Sequence, residues 1–181
     1  MDGGRCGEPA WRGCRGALLI PSGMAQSHEH WMRLAIEQAR KGIHSGQSPF
    51  GAVVVRGDAL VGSGHNEVWH RTDPTAHAEV VCIQNTARAL RTIDLGGCVM
   101  YTTTEPCPMC ASAIHWSRLD AVYFGASIAD ADNAGFHELS VPIEEIYTKG
   151  GSTTRAFRGV LAKECAALFA EWRAAAKCGT Y

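Results

Sequence analysis

Cys98-Val-Met-Tyr-Thr-Thr-Thr104-Glu-Pro-Cys107-Pro-Met-Cys110-Ala-Ser-Ala-Ile-His-Trp116-Ser-Arg-Leu-Asp-Ala121-Val-Tyr-Phe-Gly125 reads as a strand, a helix and a second strand in immediate succession. The runs Cys98–Thr103 and Ala121–Gly125 are short and rich in Val, Thr, Tyr and Phe, the residues that fit a pleated, buried surface. Between them, Cys107–Trp116 predicts a helix, with Pro108 just inside its start, where a missing N–H costs nothing. A strand that passes to a helix and then to another strand is the repeating step of a sheet covered by helices.

The flanking sequence extends this step. Upstream, Ala76–Leu90 predicts a helix, and Gly51–Arg56 with Ala59–Gly64, joined by Gly57-Asp58, predicts a β-hairpin. Between Glu29 and Lys41 the residues Trp31, Met32, Leu34, Ala35, Ile36 and Ala39 follow a helical period that Gly42 stops. Downstream, Ala126–Gly151 reads as a long loop, a length that in a compact domain usually serves function. Ala156–Val160 predicts a last strand and Leu161–Ala176 a final helix. The fold class is therefore α/β, with a sheet between helix layers.

The 181 residues allow one domain with some surplus at roughly 150 residues per domain. Residues 24–181 are expected to form it. Met1–Gly23 is rich in Gly, Pro and Arg without apolar periodicity, so it is expected to be a disordered arm, which makes Met24 a candidate start. Ala17–Ile20 is too short for the apolar region of a signal peptide. No apolar run approaches the roughly 18 residues of a membrane helix, so no membrane partner is expected. The formal net charge is −1, and from Met24 onward 14 basic residues face 16 acidic ones. Without a basic field to hold phosphates, nucleic acid is not an expected partner. Of eight cysteines, only Cys107 and Cys110 stand at ligand spacing; the others are scattered, which suits a reducing cytoplasm.

Two clusters at predicted helix starts carry the chemistry: His77-Ala78-Glu79 and Pro106-Cys107-Pro108-Met109-Cys110. A Cys-x-x-Cys on the first turn of a helix puts both sulfurs on one side, where the positive helix end favours thiolates, the form that binds zinc. Adding His77 gives three protein ligands, the catalytic arrangement, which leaves a fourth position for a water whose pKa zinc lowers toward neutrality. Glu79 is then the carboxylate that moves the proton. A structural zinc ribbon would need a second Cys-x-x-Cys, which the chain lacks. One tension remains, since residues two apart on a regular helix point about 200° apart. Glu79 and His77 can share a site only if the helix start is irregular or the Glu79 side chain curls back. The paired clusters match the His-x-Glu and Pro-Cys-x-x-Cys signature of zinc nucleobase deaminases.

Asp73-Pro74-Thr75-Ala76-His77-Ala78-Glu79-Val80 and Thr104-Glu105-Pro106-Cys107-Pro108-Met109-Cys110 resemble the core of the cytidine deaminase-like superfamily, from about Glu29 to Tyr181. The resemblance implies a three-layer α/β/α sandwich with a mixed five-stranded sheet, and Zn2+ as cofactor. Two branches share both motifs. Transfer-RNA adenosine deaminases are similar also at Leu161-Ala-Lys-Glu-Cys-Ala-Ala-Leu168. Bacterial-type guanine deaminases are similar at Ser48-Pro49-Phe50-Gly51-Ala52, Gly64-His65-Asn66, Ile114-His115-Trp116-Ser117-Arg118, Ala134-Gly135-Phe136-His137-Glu138 and the terminal Tyr181. The stretch Asp130–Phe136 lacks the Lys-Thr-Gly-Ala-Ala-Gly-Ser-like pattern of the adenosine branch, and the C-terminus lacks a basic tail, which tilts the reading to guanine. One departure is His137-Glu138, where many guanine deaminases carry Asp-Asp.

The resemblance implies that guanine is hydrolysed to xanthine and ammonia in a site whose metal is held by His77, Cys107 and Cys110. Glu79 would carry protons, and Glu138 would hold the amino side of the base and act as a second shuttle. Asn66 and the backbone N–H of Ala78 would pair with the polar edge of the ring, with Phe50 and Trp116 flanking it. The partner is then a small nucleobase. A homodimer is also implied, with exchanged C-terminal segments whose Tyr181 closes the neighbouring site. Other readings are a tRNA adenosine deaminase, a deaminase of another nucleobase, nucleoside or aminated triazine, and a non-catalytic zinc module, the last of which would not require Glu79.

Overall fold

Ser27, with extended backbone, accepts the His30 N–H on its side chain and opens helix α1 (His28–His44), whose apolar stripe of Trp31, Met32, Ala35, Ile36, Ala39 and Ile43 is buried. In this computed structural model, residues 26–175 are described; the expected arm Met1–Gly23 and the chain beyond Ala175, including Tyr181, lie outside them. The hairpin follows as β1 (Gly51–Arg56) and β2 (Ala59–His65), turned by Gly57 at φ 57°. Helix α3 (Ala78–Leu90), strand β3 (Val99–Thr104), helix α4 (Pro108–Trp116) and strand β4 (Ala121–Ala126) then alternate as the sequence predicts. Strand β5 (Arg155–Arg158) starts one residue before, and ends two before, the expected Ala156–Val160; helix α7 (Ala162–Ala175) closes the described chain.

The sheet order is β2-β1-β3-β4-β5. β1 is antiparallel to both β2 and β3, whereas β3–β4 and β4–β5 are parallel, so the sheet is mixed and five-stranded. Helices α1 and α7 pack together on one face, tied by the paired Arg40–Glu171 bonds at 2.9 Å, and α3 and α4 neighbour each other on the other. Against the sheet, α3 lies so close that a Cβ on Gly64 of β2 would stand 2.7 Å from the Cys82 nitrogen and 3.0 Å from the Ala78 carbonyl oxygen. Only glycine permits that approach.

Two expectations need correction. The stretch between the hairpin and α3, with His65, Asn66, His70 and Asp73-Pro74, reads from sequence as a loop; His65 instead ends β2 and the one-turn helix α2 (Val68–Arg71) follows. Ala126–Gly151 is not a single loop: it contains α5 (Ile128–Asn133) and α6 (Ile143–Gly150). A capping box closes α5, with Ser127 and Asp130 each bonding the other's backbone N–H. Buried Ile143 and Tyr147 hold α6 in the fold, and the Tyr147 hydroxyl donates to the Ala111 carbonyl of α4 at 3.1 Å. Only 134–142 remains irregular, and it is anchored at Phe136, whose ring packs on Phe50 and Trp172.

Candidate active site

The N-termini of α3 and α4 converge beyond the ends of the sheet strands, and each contributes its cap residue. His77 is the N-cap of α3 with extended backbone (φ −65°, ψ 155°), and Cys107 is the N-cap of α4 in the same conformation (φ −62°, ψ 166°). Helical geometry begins only at the next residue. That removes the tension over His77 and Glu79: His77 stands outside the helical wheel, so its side chain and that of Glu79 in the first turn reach one place. His77 Nδ1 lies 3.7 Å from Cys107 Sγ and 3.6 Å from Cys110 Sγ. Among the described residues, these three form the group of ligand atoms gathered closely enough to hold a metal ion, all within 4.8 Å of one another.

The donor set fits zinc. Tetrahedral coordination with Zn–S near 2.3 Å and Zn–N near 2.05 Å requires N···S separations of about 3.6 Å, which the observed spacings meet. The Cys110 thiol and backbone N–H beside it, with His77 adding to them against the effect of burial, bring the Cys107 thiol down to about 4. A sulfur that ionises so readily is ready to bind metal.

Glu79 is 6% exposed and accepts two contacts, from Thr102 Oγ1 on β3 at 3.2 Å and from the Cys110 thiol at 3.5 Å. Burial, helped by the charge on Cys107, raises its carboxyl pKa above the usual range. A second carboxylate, Glu138, reaches the cluster from the 134–142 segment; burial first and the Cys107 charge next push its pKa up to about 7. Two carboxyls poised to hold a proton beside a zinc-binding triad are equipped for proton transfer.

The remaining predicted residues divide. Asn66 is fully buried just past β2; its N–H donates to the Phe50 carbonyl at 3.0 Å and its Oδ1 accepts from the Val68 N–H at 3.2 Å. Because Gly64 abuts the Ala78 carbonyl, the strand delivers Asn66 to the start of α3. Ala78 is buried as the first residue of α3, where the backbone N–H has no intrahelical acceptor. The Phe50 ring is edge-on to Phe136 at 4.9 Å and Phe169 at 6.0 Å, and its carbonyl is the acceptor for Asn66. Trp116 ends α4, about two turns beyond the ligands at the helix start, and is 79% exposed within this chain. Tyr181 lies outside the described residues. Sequence reading missed Thr102; the alternation Met100, Thr102, Thr104 along β3, on the face opposite Tyr101, was the available signal.

Residues 25–126 match the family described as the cytidine and deoxycytidylate deaminase zinc-binding region. The chain is 38% identical over 148 residues to the guanine deaminase of Bacillus subtilis, covering 81% of this chain and 94% of that one. It is 40% identical over 141 residues to the tRNA-specific adenosine deaminase of Haemophilus influenzae, covering 76% and 78%. The solved structure of a guanine deaminase from Nitrosomonas europaea superimposes with a TM-score of 0.76 at 27% identity, covering 82% of this chain and 85% of that one.

Proposed function

The chain belongs to the cytidine and deoxycytidylate deaminase zinc-binding family, and from that premise we propose that this zinc-dependent hydrolytic deaminase acts on a free purine base, converting guanine and water to xanthine and ammonia. The observation that carries the reading is the second carboxylate: Glu138, on the segment where guanine deaminases carry an acidic residue, stands beside Cys107. Correspondence over 94% of the Bacillus guanine deaminase supports it.

His77, Cys107 and Cys110 would hold the zinc, which would lower the pKa of a water and so supply the nucleophile at neutral pH. Glu79 accepts a proton from the attacking water and delivers it to the ring nitrogen beside the amino-bearing carbon. The hydroxyl added to the ring carbon then gives up its proton, by way of a carboxylate, to the amino group; the carbonyl forms as the C–N bond breaks and ammonia leaves. Thr102 holds Oε1 of Glu79, and Oε2 faces the metal ligands, 3.5 Å from Cys110 Sγ, where the attacking water would stand. Asn66 and the Ala78 N–H bind the polar edge of the base. Glu138 holds its amino side and serves as a second proton carrier.

The protein acts as a cytoplasmic homodimer. Ile93 and Trp116, 88% and 79% exposed, line one groove of about 810 Å³ with Asp94, Arg118, Asp120 and Arg155. Charges of both signs there suit a second copy related by a two-fold axis. Buried free thiols at Cys82, Cys98 and Cys165 suit a reducing compartment. The resemblance to guanine deaminases assigns Tyr181, which lies outside the described residues, to closing the neighbouring copy's site.

The 40% identity to a tRNA-specific adenosine deaminase favours one rival, adenosine within RNA. The test offers zinc-loaded protein free guanine, guanosine, adenine, cytosine and an anticodon stem-loop. Free guanine gives xanthine and ammonia, and deletion of Cys178–Tyr181 lowers that rate while folding and zinc content hold. Inosine in the stem-loop with guanine untouched would overturn the reading.

A further inference from the structure

Residues 137–142 form a strap, exposed except at half-buried Glu138, strung between two buried anchors, Phe136 and Ile143. Phe136 is held by aromatic packing. Ile143 begins α6, whose N-cap, Pro142, supplies no side-chain cap. The Ile143 N–H donates instead to Oε1 of Glu105 at 3.1 Å. Glu105 lies two residues before Cys107, and its own N–H donates to the Ala126 carbonyl at the end of β4 at 2.9 Å. One residue thus joins three parts: the end of β4, the loop leading to Cys107, and the start of α6.

We propose that Glu105 is a positioning residue, tying the strap that carries Glu138 to the loop that carries Cys107, so that the second carboxylate keeps its place over the metal site. This rests on the role proposed above for Glu138. The link is short at both ends: Glu138 precedes the bonded N–H of Ile143 by five residues, and Cys107 follows Glu105 by two. Glu105 also closes a helix terminus, since an acceptor at the first N–H groups satisfies donors the helix cannot. The next residue in the first turn of α6, Glu144, is engaged separately, by the Arg158 guanidinium at 3.1 Å. Without the tether, the Ile143 side chain and Tyr147 still hold α6 in the core, but the strap loses its hydrogen bond to the loop that carries Cys107, so Glu138 can shift relative to the triad while the three ligands stay on α3 and α4.

The test compares the zinc-loaded full chain with Glu105→Gln, which keeps an acceptor oxygen, Glu105→Asp, which is one methylene too short, and Glu105→Ala. Zinc per chain, kcat and KM on free guanine, and amide exchange at Ile143 are measured for each. Expected for the Asp and Ala variants is unchanged zinc, faster exchange at Ile143, and a fall in kcat of about 10- to 100-fold, the scale of a misplaced catalytic group. The Gln variant recovers most of the loss. Combined with Glu138→Ala, Glu105→Ala adds nothing further, because coupled positions are not additive. Wild-type turnover in the Asp and Ala variants, a Gln variant as impaired as Ala, zinc loss in step with activity, or additive losses in the double variant would each overturn the proposal. If wild-type protein leaves guanine unchanged, the substrate assignment fails instead, and Ile143 exchange with zinc content still decides whether Glu105 holds the strap.

Discussion

Substituting alanine at Gly64 tests whether the contact between β2 and α3 sets the metal geometry. The added Cβ stands 2.7 Å from the Cys82 nitrogen, against 3.4 Å for ordinary contact. The deficit is 3.4 − 2.7 = 0.7 Å, and because the colliding atoms are backbone, α3 must lift from the sheet by about that much near its first turn. His77 is the residue just before that turn. Metal–ligand distances tolerate only about 0.2 Å, so His77 is carried well out of register with Cys107 and Cys110. Overpacking costs about 1–3 kcal/mol, which for a chain of this size lowers Tm by roughly 2–12 °C. Displacement of catalytic groups by most of an ångström lowers kcat/KM by about 10- to 100-fold. Gly62→Ala is the control: its Cβ collides with the Thr86 side chain, in the second half of α3, away from His77. Melting curves, zinc per chain and guanine turnover are measured for both variants. Both should lose stability, and only Gly64→Ala should lose zinc affinity and turnover. A Gly64→Ala protein with a lowered Tm but full zinc and wild-type kcat/KM would refute the reasoning.

Glu79→Gln should keep zinc, assayed by elemental analysis, and lose about 10²- to 10⁴-fold in turnover, since the amide cannot carry a proton. Chelation of zinc should lower Tm reversibly by about 8–16 °C, because a ligand at roughly 1,000 times its Kd contributes about 4 kcal/mol to the folded state. Burial lowers the pKa of His65 below its usual value. The unfolded chain therefore takes up that proton first as pH drops below about 6.5, and stability falls with acidification. In urea titrations at neutral and acid pH, His65→Gln should show a smaller drop in midpoint than wild type.

The ligand triad was legible because each half is local: a cap residue with its helix start, written as His-x-Glu and Pro-Cys-x-x-Cys. What spacing could not show was that both first ligands precede their helices; a wheel drawn through His77 sends Glu79 to the wrong side. The helices α5 and α6 were missed for a different reason. They are six and eight residues long, and α5 is rich in Asp and Ala, so neither spans enough turns to establish an apolar period. Their caps were visible nonetheless, in Ser127 with Asp130 and in Pro142 with Gly151. The role given to Trp116 came from resemblance alone, whereas its exposed place at the far end of α4 follows from counting residues from Cys107. Glu105 was quoted within a motif, but its bond crosses to Ile143, and no local pattern encodes so distant a partner.

The strand order β2-β1-β3 has a consequence for synthesis on the ribosome. The hairpin β1–β2 is complete once His65 has emerged, but the other edge of β1 is filled only by β3. From Arg56 to Val99 is 99 − 56 = 43 residues, and at roughly 5–20 residues per second their translation takes about 2–9 s. During that interval Ala52, Val53, Val54 and Val55 present an unpaired apolar edge, the kind of template on which nascent chains aggregate. Helix α1, already made, covers one face of that strand but not its edge, so the risk to a growing chain is concentrated in the hairpin, and slow translation between His65 and Val99 would prolong it.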